Sequence, residues 1–381
     1  MSISDIQNRG RNPRICMPTR RRICKQVFHC SLYEAEDVLV ETNDVDLICL
    51  EPDAGFRWRN RWLNRLAFRD VSERLVLANP GVRSIRLTRD YDLFVAVCQS
   101  YEDLLYVNGV EGWKNRCKTS VCWIDEVWAD SIHKYRHWMS ALRKFDHVFV
   151  GLRGSVGPLS QAIGRPCHWV PGAVDTLLFT PHLSPPARVI DVFGIGRRCE
   201  GVHQALRKMA SRNEIFYLHD TSAAAQAAAF DHREHRELLA RLSQRSRYFI
   251  VAPAKIDSYA ETHGQIEMGY RYFEGGAAGA VMIGQAPDCA SFRDMFDWQD
   301  SVIEIQPDGS DVIDILRSLD AQPQRLRQIS QRNTAEALLR HDWVHRWQYI
   351  FGVAGIQPST GMIARNLRLQ ELAERAVTAA S

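Results

Sequence analysis

The 381-residue chain predicts an α/β protein of two Rossmann-like domains in series, each a doubly wound parallel sheet. Three observations carry that expectation. Short apolar runs alternate with longer amphipathic segments, the pattern of strand-helix-strand units. The runs are apolar on both faces and rich in β-branched and aromatic residues, as strands covered by helices on both sides are. The alternation then stops at a proline-rich stretch, "TPHLSPPARV" (180–189), and starts again.

Before the break, "VDLICL" (45–50), "DLFVAVC" (92–98), "TSVCWID" (119–125), "HVFVGL" (147–152) and "CHWVP" (167–171) read as strands, with helices between them at 131–144 and 157–163. After it come a strand "VIDVFGIG" (189–196) ending in glycines, a helix at 200–211, a strand "EIFYLHD" (214–220), a helix at 232–245 and a strand "YFIVAPA" (248–254). A helix at 269–279 with a buried strand behind it follows, then "SVIEIQ" (301–306) and a helical tail over 324–352. In that tail Trp343, Val344, Trp347, Ile350 and Phe351 share one helical face, which suits a helix bridging the two domains. The expected organisation is a basic N-terminal arm over 1–25, a first domain over 26–180, a second over 181–340, and a bridging helix and tail over 341–381.

Hydrophobic residues make up 45% of the chain, enough for two cores. No run of about 18 apolar residues is present to span a membrane, and the positive N-terminus has no apolar stretch behind it, so it is not read as a signal peptide. A net charge of +3 argues against a nucleic-acid partner. The one local concentration is Arg9, Arg11, Arg14, Arg20, Arg21, Arg22 and Lys25, opposed only by Asp5. It stands either as a solvated arm or as a peripheral contact with an anionic membrane surface or partner. Ten cysteines without a C-x-x-C pair, several inside apolar runs, fit a reducing cytoplasm and give no zinc signature.

The segment with most chemistry is "GYRYFEGGAAGAVMIG" (269–284). On a helix, Arg271, Glu274 and Gly275 fall at i, i+3 and i+4, along one face. Gly275 and Gly276 each cost about 1 kcal/mol relative to alanine. Close approach of a ligand or a neighbouring backbone would offset that cost. The helix follows a strand, so its N-terminus lies outside the carboxyl end of the sheet, where its free N–H groups and dipole favour a phosphate. Glu274, one turn in, can accept hydrogen bonds from adjacent hydroxyls such as a ribose diol. The alternative is a local Arg271–Glu274 pair on a solvated face.

These residues bring a family into view. "FEGGAAGAVMIG" resembles the second half of the E-x7-E segment of retaining, GT-B-fold nucleotide-sugar glycosyltransferases. "HWVPGAVDTLLFTP" (168–181) and "FGIGRR" (193–198) are similar to the stretches that close the first domain and open the second in such enzymes, and "HDWVHRWQYI" resembles the closing helix of spore-maturation-type members. The resemblance covers roughly residues 165–350. Ile266 stands eight positions before Glu274, with Glu267 beside it, and Glu200-Gly201 stands where a Lys-Gly pair is expected.

The resemblance implies two domains facing across a cleft, and transfer of a sugar, with retention, from a nucleotide-diphosphate donor to an unidentified acceptor. Its donor side comprises Gly196, Arg197, Arg198, Lys255, Arg271, Glu274 and Gly275. The two arginines of "GIGRR" suit a diphosphate clamp, since fixed cations stabilise the charge that grows on the leaving group. In the first domain, Asp125 and Glu126 fall where a strand gives way to loop and His133 lies eight residues on; they orient or deprotonate an acceptor hydroxyl, or cap a helix and carry surface charge. His29, Ser31 and Glu34 form a second strand-to-loop candidate. No D-x-D segment ends a strand, so neither a metal nor another cofactor is expected. A sugar-nucleotide epimerase or hydrolase on this fold, and a non-catalytic binding subunit, are the alternatives.

Overall fold

The computed structural model describes residues 12–69, 71–181, 185–221 and 227–378. Six parallel strands form the first sheet: β1 Arg14–Thr19, β2 Asp44–Cys49, β3 Tyr91–Cys98, β4 Cys117–Ile124, β5 His147–Val150 and β6 Cys167–Trp169, in the order β2-β1-β3-β4-β5-β6. Five form the second: β7 Ile190–Gly194, β8 Tyr217–His219, β9 Ser246–Val251, β10 Val281–Gly284 and β11 Ile303–Glu304, in the order β8-β7-β9-β10-β11. Every pairing in both sheets is parallel. The order reverses between β1 and β3 and again between β7 and β9, so both sheets are doubly wound and each opens a crevice at its carboxyl edge.

The strands read from the sequence are present because their side chains are buried on both faces. Leu93, Phe94, Val95, Val121 and Cys122 at the centre of the first sheet are fully enclosed. One face packs against Trp113, Trp138 and Phe145. The other packs against Leu32 and Leu39 of the helix Cys30–Thr42 and against Trp343, Trp347 and Phe351 of the C-terminal region. The tail therefore does cross back onto the first domain. It does so as separate helices, Pro323–Arg340, Trp343–Val353 and Thr360–Thr378. The break comes at Asp342, whose buried carboxylate accepts from Val344 N (2.9 Å), from Thr176 and from Arg365.

The expected basic arm is corrected. Arg9 and Arg11 lie outside the described residues, but Arg14 opens β1, a strand with neighbours on both sides. Its Ile15, Cys16 and Met17 are fully buried. Arg20 is buried against Asp103, Arg21 pairs with Glu36 (2.9 Å) and Asp37 (2.5 Å), and Arg22 pairs with Glu51. From Arg14 on, the stretch is therefore part of the first sheet and its edge, and Arg20, Arg21 and Arg22 are each paired with carboxylates of the first domain. Residues 25–29 then meet the second domain, with Val27 N donating to Ala227 O (3.0 Å) and Ala229 N to Lys25 O (2.8 Å).

Candidate active site

The two carboxyl edges face each other across a cavity of about 390 Å³. Gln99, Asp125 and Gly151, beyond the ends of β3, β4 and β5, line one wall. Gly196 beyond β7, Lys255 beyond β9 and the first turn of the helix Tyr270–Ala277 line the other.

The second wall is a set of clamped charges. Gly196 turns the chain at φ +80°, where a side chain would be strained, and its N–H donates to Asp220 (3.0 Å). Arg197 lines the cavity and pairs with Asp257 and Ser258. Arg198 does not line it: its guanidinium bonds the Asp220 carboxylate (2.5 Å) and carbonyl (3.0 Å), so it braces the turn. Lys255, held at φ +50°, reaches across to Glu126 of the first domain and also pairs with Glu261. Burial works against its charge, but the two carboxylates outweigh that and hold its pKa above the ordinary value.

Glu274 lines the cavity at 1% exposure. One oxygen is bonded by Arg271, the other by Arg236 from the helix His232–Gln244. Burial alone would raise the Glu274 carboxyl, but the two arginines outweigh it and hold it below the usual carboxylate range. Arg236 continues into the first domain, donating to both oxygens of Glu34 (2.6 and 3.2 Å). Glu34 also accepts from Trp343 Nε1 (2.9 Å) and from Asp175 N (2.8 Å). The local Arg271–Glu274 pair is thus real, but it is buried and extends across the domain boundary.

Gly275 is corrected. It faces the sheet, where an added Cβ would stand 2.9 Å from the Phe249 ring and 3.1 Å from Met282. The helix rides close on β9 and β10 for that reason, and no ligand is needed to account for this glycine.

On the first wall Asp125 is 7% exposed and lines the cavity. Burial, with the neighbouring Glu126 charge, pushes its carboxyl up to about 7, against the opposing influence of the nearby Tyr270 hydroxyl and of the Gln99 amide, which donates to it (3.1 Å). Glu126 is tied to Lys255 and to Trp128 Nε1 (2.8 Å). His133 is corrected: it sits exposed on the short helix Ala129–Lys134, outside the cavity lining. Of the secondary candidate, Ser31 lines the cavity while Glu34 is committed to Arg236. His29 is buried, and desolvation together with Arg20 pushes its pKa down to about 3. The expected strand-to-loop turn there is instead the start of the helix Cys30–Thr42.

Sequence reasoning missed Arg236. The signal was present: it shares a helical face with Leu239, Ala240 and Ser243, all buried, so an arginine stands on the apolar stripe. Glu267, one place from the expected acidic position, is buried and accepts from Gly154 N (2.8 Å) of the first domain, whereas Ile266 is 45% exposed beside a second cavity. Among the described residues, no group of three or more His, Cys, Asp or Glu is placed to hold a metal ion.

Residues 197–352 match a family model described as glycosyl transferase-like, a span that begins at the Arg197 turn and ends on the helix returning to the first domain. The fold matches an alpha-glucosyltransferase solved in complex with UDP and a 13-mer DNA containing a central A:G mismatch (TM-score 0.56, 11% identity, 90% of this chain and 100% of that one). It also matches a glycosyltransferase from Rickettsia africae ESF-5 (TM-score 0.50, 10% identity, 90% of this chain and 98% of that one). This is the GT-B fold, with a glycosyltransferase-like second domain. No curated protein matches the chain by sequence. In this GT-B chain the matched domain contributes Arg197, Lys255, Arg271 and Glu274 to the cleft, and the unmatched first domain contributes Asp125 and Glu126.

Proposed function

We propose that the chain transfers a sugar from a nucleoside-diphosphate sugar to an acceptor held on the first-domain wall. The observation that carries this is the meeting, in one interdomain cavity, of the cations Arg197, Lys255 and Arg271 with the helix start at Gly269–Tyr270 and the clamped Glu274. The diphosphate lies against the cations and the helix N-terminus, which fixed dipoles and charges favour without reorganisation. Glu274 keeps lone pairs for the ribose hydroxyls. The nucleobase is assigned to the adjoining cavity of about 590 Å³, lined by Pro253, Ile266, Gln285 and Gln306. The solved alpha-glucosyltransferases of this fold carry UDP, which makes UDP the first nucleotide to try.

The acceptor hydroxyl is oriented by Asp125. Resemblance to the E-x7-E group favours retention of anomeric configuration. The poised Asp125 carboxyl, near 7, favours a second reading, inversion with Asp125 as general base. The anomeric proton couplings of the product separate the two.

The test is a thermal-shift panel of UDP, GDP, ADP, TDP and NAD. A diphosphate at 100 times its dissociation constant adds about 2.7 kcal/mol. Glu274→Gln, which keeps a hydrogen-bonding side chain of the same size, is expected to lose most of that gain. Stabilisation by NAD and by none of the diphosphates would overturn the assignment. Release of nucleotide from the matching sugar donor only when an acceptor is present separates a transferase from a hydrolase or a binding subunit.

A further inference from the structure

The helix Phe56–Ala67, "FRWRNRWLNRLA", follows β2 on the surface of the first domain and takes no part in the cleft. Its inner side is anchored by Phe56, Leu63 and the buried Ala67, which pack on the core. Its outer side is unusual. Arg57, Arg61 and Arg65 stand at i, i+4 and i+8, all exposed. Trp58 and Trp62 form the adjacent stripe, 68% and 43% exposed. These five side chains line a shallow surface groove of about 420 Å³, and the Arg65 guanidinium lies 5.7 Å from the Trp62 ring centre.

Such a surface has a cost with no return inside the molecule. Like charges four residues apart weaken a helix, and the helix carries no acidic residue to balance them. Arg59 pairs with Asp53, but among the described residues no carboxylate pairs with Arg57, Arg61 or Arg65. Two large indole rings are left in water. An anion-rich, half-apolar layer answers both. Guanidinium groups take phosphate in bidentate fashion, and indole rings settle at the headgroup level, apolar body inward and N–H outward.

We propose that this Arg/Trp helix docks the protein on the surface of a bilayer containing anionic lipid, lying in the plane of the headgroups. Single-stranded nucleic acid fits less well. The two rings are tilted at 57° with centres 6.5 Å apart, so they offer no common flat face for stacked bases. A net charge of +3 gives the chain as a whole no strong positive field to hold a nucleic acid. The proposal does not depend on the sugar-transfer reading.

The test is sedimentation of the full chain with vesicles of phosphatidylcholine alone and with added phosphatidylglycerol. Binding to the anionic vesicles only is expected, weakening as salt is raised. Replacing Arg57, Arg61 and Arg65 together by glutamine should lower the apparent affinity on the order of a hundredfold. Thermal unfolding of that variant should match or slightly exceed the parent, because the altered groups are exposed and their mutual repulsion is removed. A measurement on the unaltered chain guards against misfolding: Trp58 and Trp62 are the exposed tryptophans of the described residues, so brominated lipid should quench part of the fluorescence in anionic vesicles. Equal binding to neutral vesicles, full binding by the glutamine variant, absence of quenching, or tighter binding to a single-stranded oligonucleotide would each overturn the proposal.

Discussion

Asp125 on the first wall of the cleft is 7% exposed and Glu274 on the second is 1% exposed, yet their carboxyl groups are shifted in opposite directions. Burial raises both, because an ion leaving water loses its hydration. Glu274 recovers that loss from two guanidinium groups, Arg236 and Arg271. Asp125 has only neutral groups beside it, the Gln99 amide that donates to it and the Tyr270 hydroxyl, with another acid, Glu126, next to it. The more deeply buried acid is therefore the more firmly ionised. What fixes the charge on each wall is the cation supplied from elsewhere in the chain: the second wall is a permanent array of charges, and the first holds a proton that comes and goes near neutrality.

The difference between the two walls depends most directly on Arg236. It is 4% exposed and serves Glu34 and Glu274 at once. Arg236→Met would keep the bulk of the side chain while leaving both acids buried without it, and removing one partner of a buried pair costs about 3–5 kcal/mol. The expected result is a large drop in the urea midpoint at pH 7 and a loss of nucleotide stabilisation. A midpoint within experimental scatter of the parent would show that Arg271 and Trp343 alone sustain these acids, and the contrast between the walls would lose its cause.

Asp125→Asn sharpens the same contrast from the other side. The Asp125 carboxyl keeps its proton to about 7 in the folded chain, against an ordinary value of 3.8. Between those limits the folded state binds more protons than the unfolded, so stability falls as pH rises, and the loss is complete above the folded value. Asparagine has no charge to bury. Asp125→Asn is expected to match the parent below pH 4 and to exceed it by up to about 4 kcal/mol at pH 8. A variant destabilised equally at both pH values would show that the carboxylate is paired in the fold. A pH-rate profile that loses its limb near 7 in this variant would place the same proton in the transfer step.

The strands were legible because each is apolar on both faces, and the helix at Tyr270–Ala277 because small residues and a buried strand follow it. The strand β1 was hidden by its flanks. Arg14, Arg20, Arg21 and Arg22 read as one basic patch, since the acids that neutralise the last three, Asp103, Glu36, Asp37 and Glu51, are distant in the chain. Arg236 was hidden in the same way, its partners lying 38 and 202 positions off. His133 failed for the converse reason. Nearness in sequence to Asp125 said nothing about direction, and the short helix that carries it turns it to solvent. Local chemistry was readable, and pairing between residues far apart in the chain was not.

The paired glycines of the second wall give the finest test, because the two neighbours differ in what a methyl group would meet. At Gly275 an added Cβ would press on Phe249 at 2.9 Å and on Met282 at 3.1 Å. Both are buried, Met282 completely and Phe249 completely, so neither has room to yield. Overpacking of this kind costs about 1–3 kcal/mol, against about 1 kcal/mol gained from alanine's helix propensity. Gly275→Ala is thus expected to lower stability by about 1 kcal/mol and, by lifting the helix from β9 and β10, to weaken nucleotide binding through Glu274. At Gly276 the nearest atom would be Met282 Cε at 3.7 Å, an ordinary van der Waals distance. Gly276→Ala should therefore gain most of the propensity term, up to about 1 kcal/mol, and leave binding unchanged. Equal effects at the two positions would mean that the helix does not rest on the sheet as closely as Gly275 requires.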